Sequence, residues 1–194
     1  MGSVTRLADG RWDVRVKLWD LVKGTELLAQ SHVAQAGDLR LAAHRVADAI
    51  YERLTGERGV FATRIAYVAK TGNRYTLHVT DADGEGGQIA LASADPIISP
   101  AWSPDGKALA YVSFEGQKAA VWVQDVASGQ RRLVANFRGS NSAPAFSPDG
   151  RELALTLSRD AVAQLYRIPR EGGTPRRLTD FKGGSTFLGM EKLP

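Results

Sequence analysis

Between Trp12 and Leu18 every second residue is apolar: Trp12, Val14, Val16 and Leu18 alternate with Asp13, Arg15 and Lys17. Period-two alternation marks a strand with one buried face, so Gly10 to Asp20 reads as a strand. Lys23-Gly24 turns the chain into a second strand, Glu26 to Ala34. The period then changes. After Gly37, the apolar positions Leu39, Ala42, Val46, Ala49, Ile50 and Leu54 recur at helical spacing, with Asp38 placed to cap the start and Gly56 to stop the end. The expected product is a β-hairpin plus one helix, a layer too small for a secure core of its own.

Beyond residue 58 the pattern breaks into short apolar runs and repeats. Ala101-Trp102-Ser103-Pro104-Asp105-Gly106-Lys107 returns 44 residues later as Ala145-Phe146-Ser147-Pro148-Asp149-Gly150-Arg151. The same offset carries Leu109-Ala110-Tyr111 onto Leu153-Ala154-Leu155 and Val121-Trp122 onto Leu165-Tyr166. In the other direction it carries Ala110-Tyr111 onto Ala66-Tyr67 and Val121-Trp122-Val123 onto Leu77-His78-Val79. Ser-Pro-Asp-Gly suits a tight hairpin turn, because Pro presets φ and Gly accepts positive φ. Strands are expected at Ala108 to Ser113 and Glu152 to Ser158, then at Ala119 to Asp125 and Gln164 to Pro169. Shorter strands follow from Arg131 and Arg176. Four short strands per 44 residues match one blade of a β-propeller.

The fold class is therefore mainly β with a small α/β element: a partial propeller of about three WD-like blades behind a hairpin plus helix. Residues 1–58 read as the C-terminal part of an α/β domain and 59–194 as the incomplete propeller. The first copy lacks its Ser-Pro-Asp-Gly hairpin. A fourth copy starts at Phe181-Lys182-Gly183-Gly184-Ser185-Thr186-Phe187, but the chain reads Met190-Glu191-Lys192-Leu193-Pro194 where its turn is due. A closed ring takes four to eight blades, so open blade edges are expected, and with them self-association.

Composition narrows the function classes. The 25 basic and 21 acidic residues are dispersed, net +4, without a run of five like charges; no nucleic-acid surface is expected. There is no cysteine, which removes disulfides, thiolate metal sites and thiol nucleophiles. No apolar run is long enough to span a membrane, and the first residues lack the apolar core of a signal peptide. His32, His44 and His78 fall on a strand, the helix and a blade strand without metal-ligand spacing. His44 and His32 can approach each other across hairpin and helix, but structural histidines are expected. Asp105 and Asp149 belong to their turns. Asp81 to Gly87 slightly resembles a calcium loop but lacks its downstream glutamate. No enzyme, cofactor or metal is expected. Instead, the loops before the innermost strands and after the second strands should ring one mouth of the propeller. Ile97, Ile98, Ser99, Phe114, Glu115, Ser140, Asn141, Ser142, Arg159 and Asp160 are the expected partner-binding rim.

Several longer runs resemble a known family. Arg64 to Val68, Ile97 to Gly106, Leu109 to Glu115 and Val134 to Pro144 are similar to the TolB family of the Tol-Pal system. So are Gly37-Asp38-Leu39-Arg40 and Ile50 to Gly56 in the N-terminal part. The resemblance implies a periplasmic, non-enzymatic binding scaffold for outer-membrane integrity and envelope constriction at cell division, with a link to protein transport. It also implies binding of Pal, a peptidoglycan-associated lipoprotein. The family's mature N-terminus contacts TolA, but no matching segment stands here, so a TolA contact is not expected. About half of the family's blades are represented, which leaves the Pal surface partial. The competing expectation is the propeller module of a larger serine peptidase, since such enzymes carry the same repeat.

Overall fold

A computed structural model describes residues 1–182; the remainder of the expected fourth copy, 183–194, lies outside the described residues. The chain divides into two compact units: Met1–Ile65 with Thr80–Gly87, and Ala66–Val79 with the chain from Gln88 onward.

In the first unit the expected hairpin forms from β2 (Trp12–Asp20) and β3 (Thr25–Ala34). A strand not foreseen, β1 (Gly2–Arg6), pairs antiparallel with β2, giving the order β1-β2-β3. Asp13 is buried on β2, where it accepts hydrogen bonds from Ser31 Oγ (2.6 Å) and Arg15 Nε (2.7 Å). The helix α1 runs Leu39–Thr55 and packs on β3 and β2. Gly56 ends it in the left-handed region (φ 77°), its N–H returning to the Glu52 carbonyl, as a C-terminal glycine should. At the other end the expectation is corrected. Asp38 sits in a short 3-10 turn, Ala36–Asp38, and its side chain makes no cap hydrogen bond. A carboxylate two helical turns before the end, Asp48, instead accepts from the Phe61 and Ala62 amides (2.6 and 3.0 Å) and ties the following chain to the helix.

The remaining strands are antiparallel meanders of propeller type. The first blade holds β4 (Arg64–Thr71), β5 (Arg74–Asp81) and β6 (Gln88–Ser93). The second holds β7 (Ile97–Trp102), β8 (Ala108–Ser113), β9 (Ala120–Asp125) and β10 (Arg131–Ala135). The third holds β11 (Asn141–Phe146), β12 (Glu152–Leu157), β13 (Gln164–Pro169) and β14 (Arg176–Arg177). The first three strands of the third blade each begin 44 residues after their counterparts in the second.

Two apolar clusters join the blades of the second unit. Ala108, Ala110, Val112, Val121 and Val123 of the second blade pack against Leu153, Leu155, Leu157, Tyr166 and Ile168 of the third. Leu109 and Tyr111, on the opposite face of β8, pack with Leu77 and Val79 of the first. Alternation along each strand sends neighbouring residues to opposite faces, so a central blade is apolar on both. That explains why β8 is buried throughout. Tyr111 brings a hydroxyl into this interior, where burial pushes its pKa up to about 12 and keeps it a neutral donor to Gln124 Oε1 (2.9 Å). Gln124 Nε2 passes the connection on to the Ala90 carbonyl (2.7 Å).

The repeated hairpin shows why Asp105 and Asp149 recur. Ser103 Oγ donates to Asp105 (2.6 Å), the Lys107 amide donates to the same carboxylate (3.0 Å), and the Ala108 amide donates to Ser103 Oγ (2.9 Å). Ser147, Asp149, Arg151 and Glu152 repeat the set at 2.6, 3.1 and 3.0 Å. Gly106 and Gly150 supply the positive φ (67° and 70°). The Ser103 hydroxyl and the Lys107 amide hold the Asp105 carboxyl below its ordinary range, and the Ser147 hydroxyl and the Arg151 amide do the same for Asp149. A depressed folded-state pKa means the unfolded chain binds more protons at acid pH. The contribution is therefore present above the unfolded carboxylate value of about 3.9 and is lost as pH falls through the lower folded values. The urea midpoint is expected to fall with pH through that window, and to fall less steeply in an Asp105→Asn/Asp149→Asn double variant. An unchanged slope would remove the turns from the account.

Candidate partner-binding rim

At one end of the second and third blades, loops and inner-strand starts form one connected surface. The Phe114 amide donates to the Pro96 carbonyl (3.1 Å), and Lys118 Nζ reaches the Asn136 carbonyl (3.2 Å). The Ser140 amide donates to Ser158 Oγ (2.7 Å), and the Arg159 guanidinium lies 5.4 Å from the centre of the Phe137 ring. Segments 96–99, 114–118, 136–142 and 158–160 are thereby held side by side.

The ten expected rim residues occupy different depths. Ser140, Arg159 and Asp160 are exposed, Ile98 is 43% exposed, and Ser99, Phe114 and Ser142 are half-buried. Glu115 is exposed, but Arg131 grips its carboxylate through two nitrogens (3.1 and 2.9 Å). Arg131 also donates to the Tyr111 hydroxyl (2.7 Å) and lies 4.4 Å from the Trp122 ring centre. Asp160 accepts from the Tyr166 hydroxyl (2.6 Å) and sits beside Arg159 Nε (3.7 Å). Ile97 and Asn141 are not on the surface. Ile97 belongs to the apolar cluster between the first and second blades. Asn141, 0% exposed, donates from Nδ2 to the carbonyls of Ala119, Phe137 and Gly139 (3.1, 2.9 and 3.2 Å) and accepts from the Phe137 amide (2.8 Å). It is the bolt beneath the rim rather than part of it.

Sequence reasoning missed the backbone geometry of this surface. Ser99 (φ 53°) and Ala143 (φ 50°) adopt left-handed conformations at equivalent positions, where the β7–β8 and β11–β12 registers slip. Gln117 (φ 57°) and Ala161 (φ 74°) do the same in the loops after β8 and β12. None is glycine, so residue type carries no warning. Left-handed non-glycine residues cost about 1–2 kcal/mol each, and bulges redirect side chains at sheet rims. Their recurrence at the 44-residue offset is the available signal, visible only once the fold is known. Gly139 is a different case. At φ 80°, a Cβ there would stand 2.5 Å from Ser158 Oγ and 2.9 Å from its carbonyl. Gly139→Ala is expected to lose about 1–3 kcal/mol and to loosen the 136–142 and 158–160 loops together. Amide exchange across both loops measures this, and protection unchanged from wild type would contradict it.

In the first unit, His44 meets a different group from the histidine considered above. His44 Nε2 is 3.4 Å from Asp83 Oδ2 and 3.9 Å from Asp81 Oδ2, whereas His32 Nε2 contacts Gln30 Oε1 at 3.1 Å. Arg40 bonds both carboxylates, and its guanidinium pulls the Asp83 pKa down to about 2. His44, Asp81 and Asp83 lie within reach of a single ion, but Arg40 already fills that place as the counter-charge. The loop that slightly resembles a calcium site is thus an arginine-clamped turn. His78 stacks on Tyr67, the ring centres 4.9 Å apart and 6° from parallel.

The model of the TolB beta propeller domain matches residues 51–187. The chain belongs to the TolB β-propeller family. It is 65% identical over 140 residues to the Tol-Pal system protein TolB of Albidiferax ferrireducens, covering 72% of this chain and 33% of that protein. Over 186 residues it is 53% identical to the TolB of Bordetella pertussis, covering 95% of this chain and 42% of that one. The crystal structure of TolB from Acinetobacter baumannii superposes with a TM-score of 0.81 at 40% identity, over 92% of this chain and 46% of that one. The chain thus spans less than half the length of these TolB relatives. The propeller domain of a Pyrococcus furiosus protease, at 18% identity and a TM-score of 0.50, shares the fold alone. Among the described residues, no helix is long and apolar enough to cross a membrane.

Proposed function

We propose that this chain acts as a non-enzymatic protein-binding scaffold of the Tol-Pal envelope system. It works in the periplasm, in outer-membrane integrity and envelope constriction at division, and its rim engages a Pal-like peptidoglycan-associated lipoprotein. The observation that carries this reading is the 65% identity to a protein named for that system. The rim supports it physically. Ile98 and Phe114 offer apolar area, Arg159 and the exposed Arg138 offer charge, and Asn141 holds the loops on rigid strands. Preorganised loops lose less ordering entropy on binding than free ones. The peptidase-module alternative has only a fold-level likeness behind it.

A pull-down tests the reading, with the soluble domain of a Pal-like lipoprotein immobilised and full-length TolB from Bordetella pertussis as the control. The 194-residue chain is expected to be retained, more weakly than the control. Retention is expected to drop at least about tenfold for Ile98→Asp/Arg159→Glu, the loss of a central interface anchor. Retention of the control but not of the chain would overturn the reading for this chain.

A further inference from the structure

Cationic side chains from separate loops converge on the segment that leads into β11. Asn141, buried beneath that segment, donates from Nδ2 to the carbonyls of Phe137 and Gly139 (2.9 and 3.2 Å) and accepts from the Phe137 amide (2.8 Å). Arg138 stands between those grips, so its backbone is fixed while its side chain is exposed. Lys118 Nζ reaches the Asn136 carbonyl at 3.2 Å, and the Arg159 guanidinium lies 5.4 Å from the Phe137 ring centre. The carboxylates of the rim segments are already engaged. Glu115 is held at 3.1 and 2.9 Å by Arg131, which comes from β10. Asp160 accepts from the Tyr166 hydroxyl (2.6 Å) and stands 3.7 Å from Arg159 Nε. Among the described residues, no carboxylate pairs with Lys118 or Arg138.

We infer that this surface takes an acidic segment of a protein partner, with Lys118, Arg138 and Arg159 selecting for its carboxylates. The inference rests on the rim being the binding face and names the chemistry of what the rim holds. Like charges gathered on one loop repel one another, and an arriving anion relieves that repulsion. An arginine fork fits a carboxylate through two parallel N–H donors. Because the backbone is pinned on both sides of Arg138, little ordering entropy is lost when the guanidinium engages. Phe114 and Phe137 stand half-buried in the same segments, so the surface favours carboxylates that flank an apolar side chain. A protein segment supplies both on one stretch of chain, whereas an inorganic anion supplies only the charge.

Nuclear magnetic resonance of the 194-residue chain tests this with the peptide acetyl-Glu-Asp-Phe-Glu-Asp-amide, its counterpart with Lys at every acidic position, and inorganic phosphate. The acidic peptide is expected to shift the amides of 118 and 136–140, the basic peptide to leave them in place, and phosphate to move them less. Lys118→Gln/Arg138→Gln is expected to weaken the acidic peptide about tenfold at low salt. Lys107→Gln/Arg151→Gln removes as much charge from exposed positions in the Ser-Pro-Asp-Gly turns and is expected to weaken it less than about twofold. The soluble domain of a Pal-like lipoprotein, titrated into the same proteins, separates the two readings. Peptide binding without lipoprotein binding would remove that partner and leave the acidic segment standing. Lipoprotein binding untouched by Lys118→Gln/Arg138→Gln would overturn the inference and leave that partner standing. Absent shifts with the acidic peptide, shifts as large with the basic peptide or phosphate, or equal weakening by both double variants would each overturn it as well.

Discussion

An Asn141→Asp variant is expected to unfold about 3 kcal/mol more easily than wild type. The substitution changes one atom of a side chain that is fully buried, and volume is not the issue. Asparagine offers an N–H₂ group to three backbone carbonyls at 2.9 to 3.2 Å and a carbonyl oxygen to the Phe137 amide. An ionised aspartate only accepts. It would set a charge against three carbonyl oxygens at a fully buried position, and a buried charge lacking donors costs several kcal/mol or forces protonation. Protonation relieves part of the penalty, so the deficit is expected to shrink as pH falls. Urea unfolding of both proteins at neutral and acid pH reads both effects. A loss under about 1 kcal/mol at neutral pH would mean that Asn141 does not anchor the rim.

Leu155→Ala is expected to cost about 2–5 kcal/mol, the range for emptying a closed apolar site. Leu155 is fully buried in the joint between the second and third blades, ringed by side chains from both sheets. Little can collapse into the space, because the surrounding side chains stand on strands fixed within each blade by ladder hydrogen bonds. Leu165→Ala, on the other face of the same blade, removes the same atoms from a half-buried position. It is expected to cost under about half as much. Thermal unfolding of the pair separates a fully buried joint position from a half-buried one. Equal losses would contradict the layered description.

Much of this architecture is legible in residue pattern, for a physical reason in each case. The hairpin and helix declare themselves because Trp12, Val14, Val16 and Leu18 keep one period and Leu39 to Leu54 another. The blades declare themselves because each must build the same two faces and the same Ser-Pro-Asp-Gly turn. Strand β1 does not, since Gly2 to Arg6 is exposed throughout and has no face to alternate. Rim depth is also hidden. Asn141 reads as a polar loop residue, yet it begins a strand whose equivalent start, Ile97, is buried core. Polarity suggested surface, while the repeat register pointed inward. The clamp of Arg40 on Asp81 and Asp83 joins residues 41 and 43 positions apart, beyond any local spacing rule. The pairing of Glu115 with Arg131 is hidden in the same way. Left-handed Ser99 and Ala143 are invisible because glycine, the usual sign of that geometry, is absent.

This family member is expected to bind its partner through the connected rim of the second and third blades. Hydrogen exchange of the chain with and without the soluble domain of a Pal-like lipoprotein tests it most directly. Slowed exchange is expected in segments 96–99, 114–118, 136–142 and 158–160 alone, with the Ser103–Gly106 and Ser147–Gly150 turns unchanged. Bound lipoprotein that protected those turns and left the rim segments untouched would contradict it.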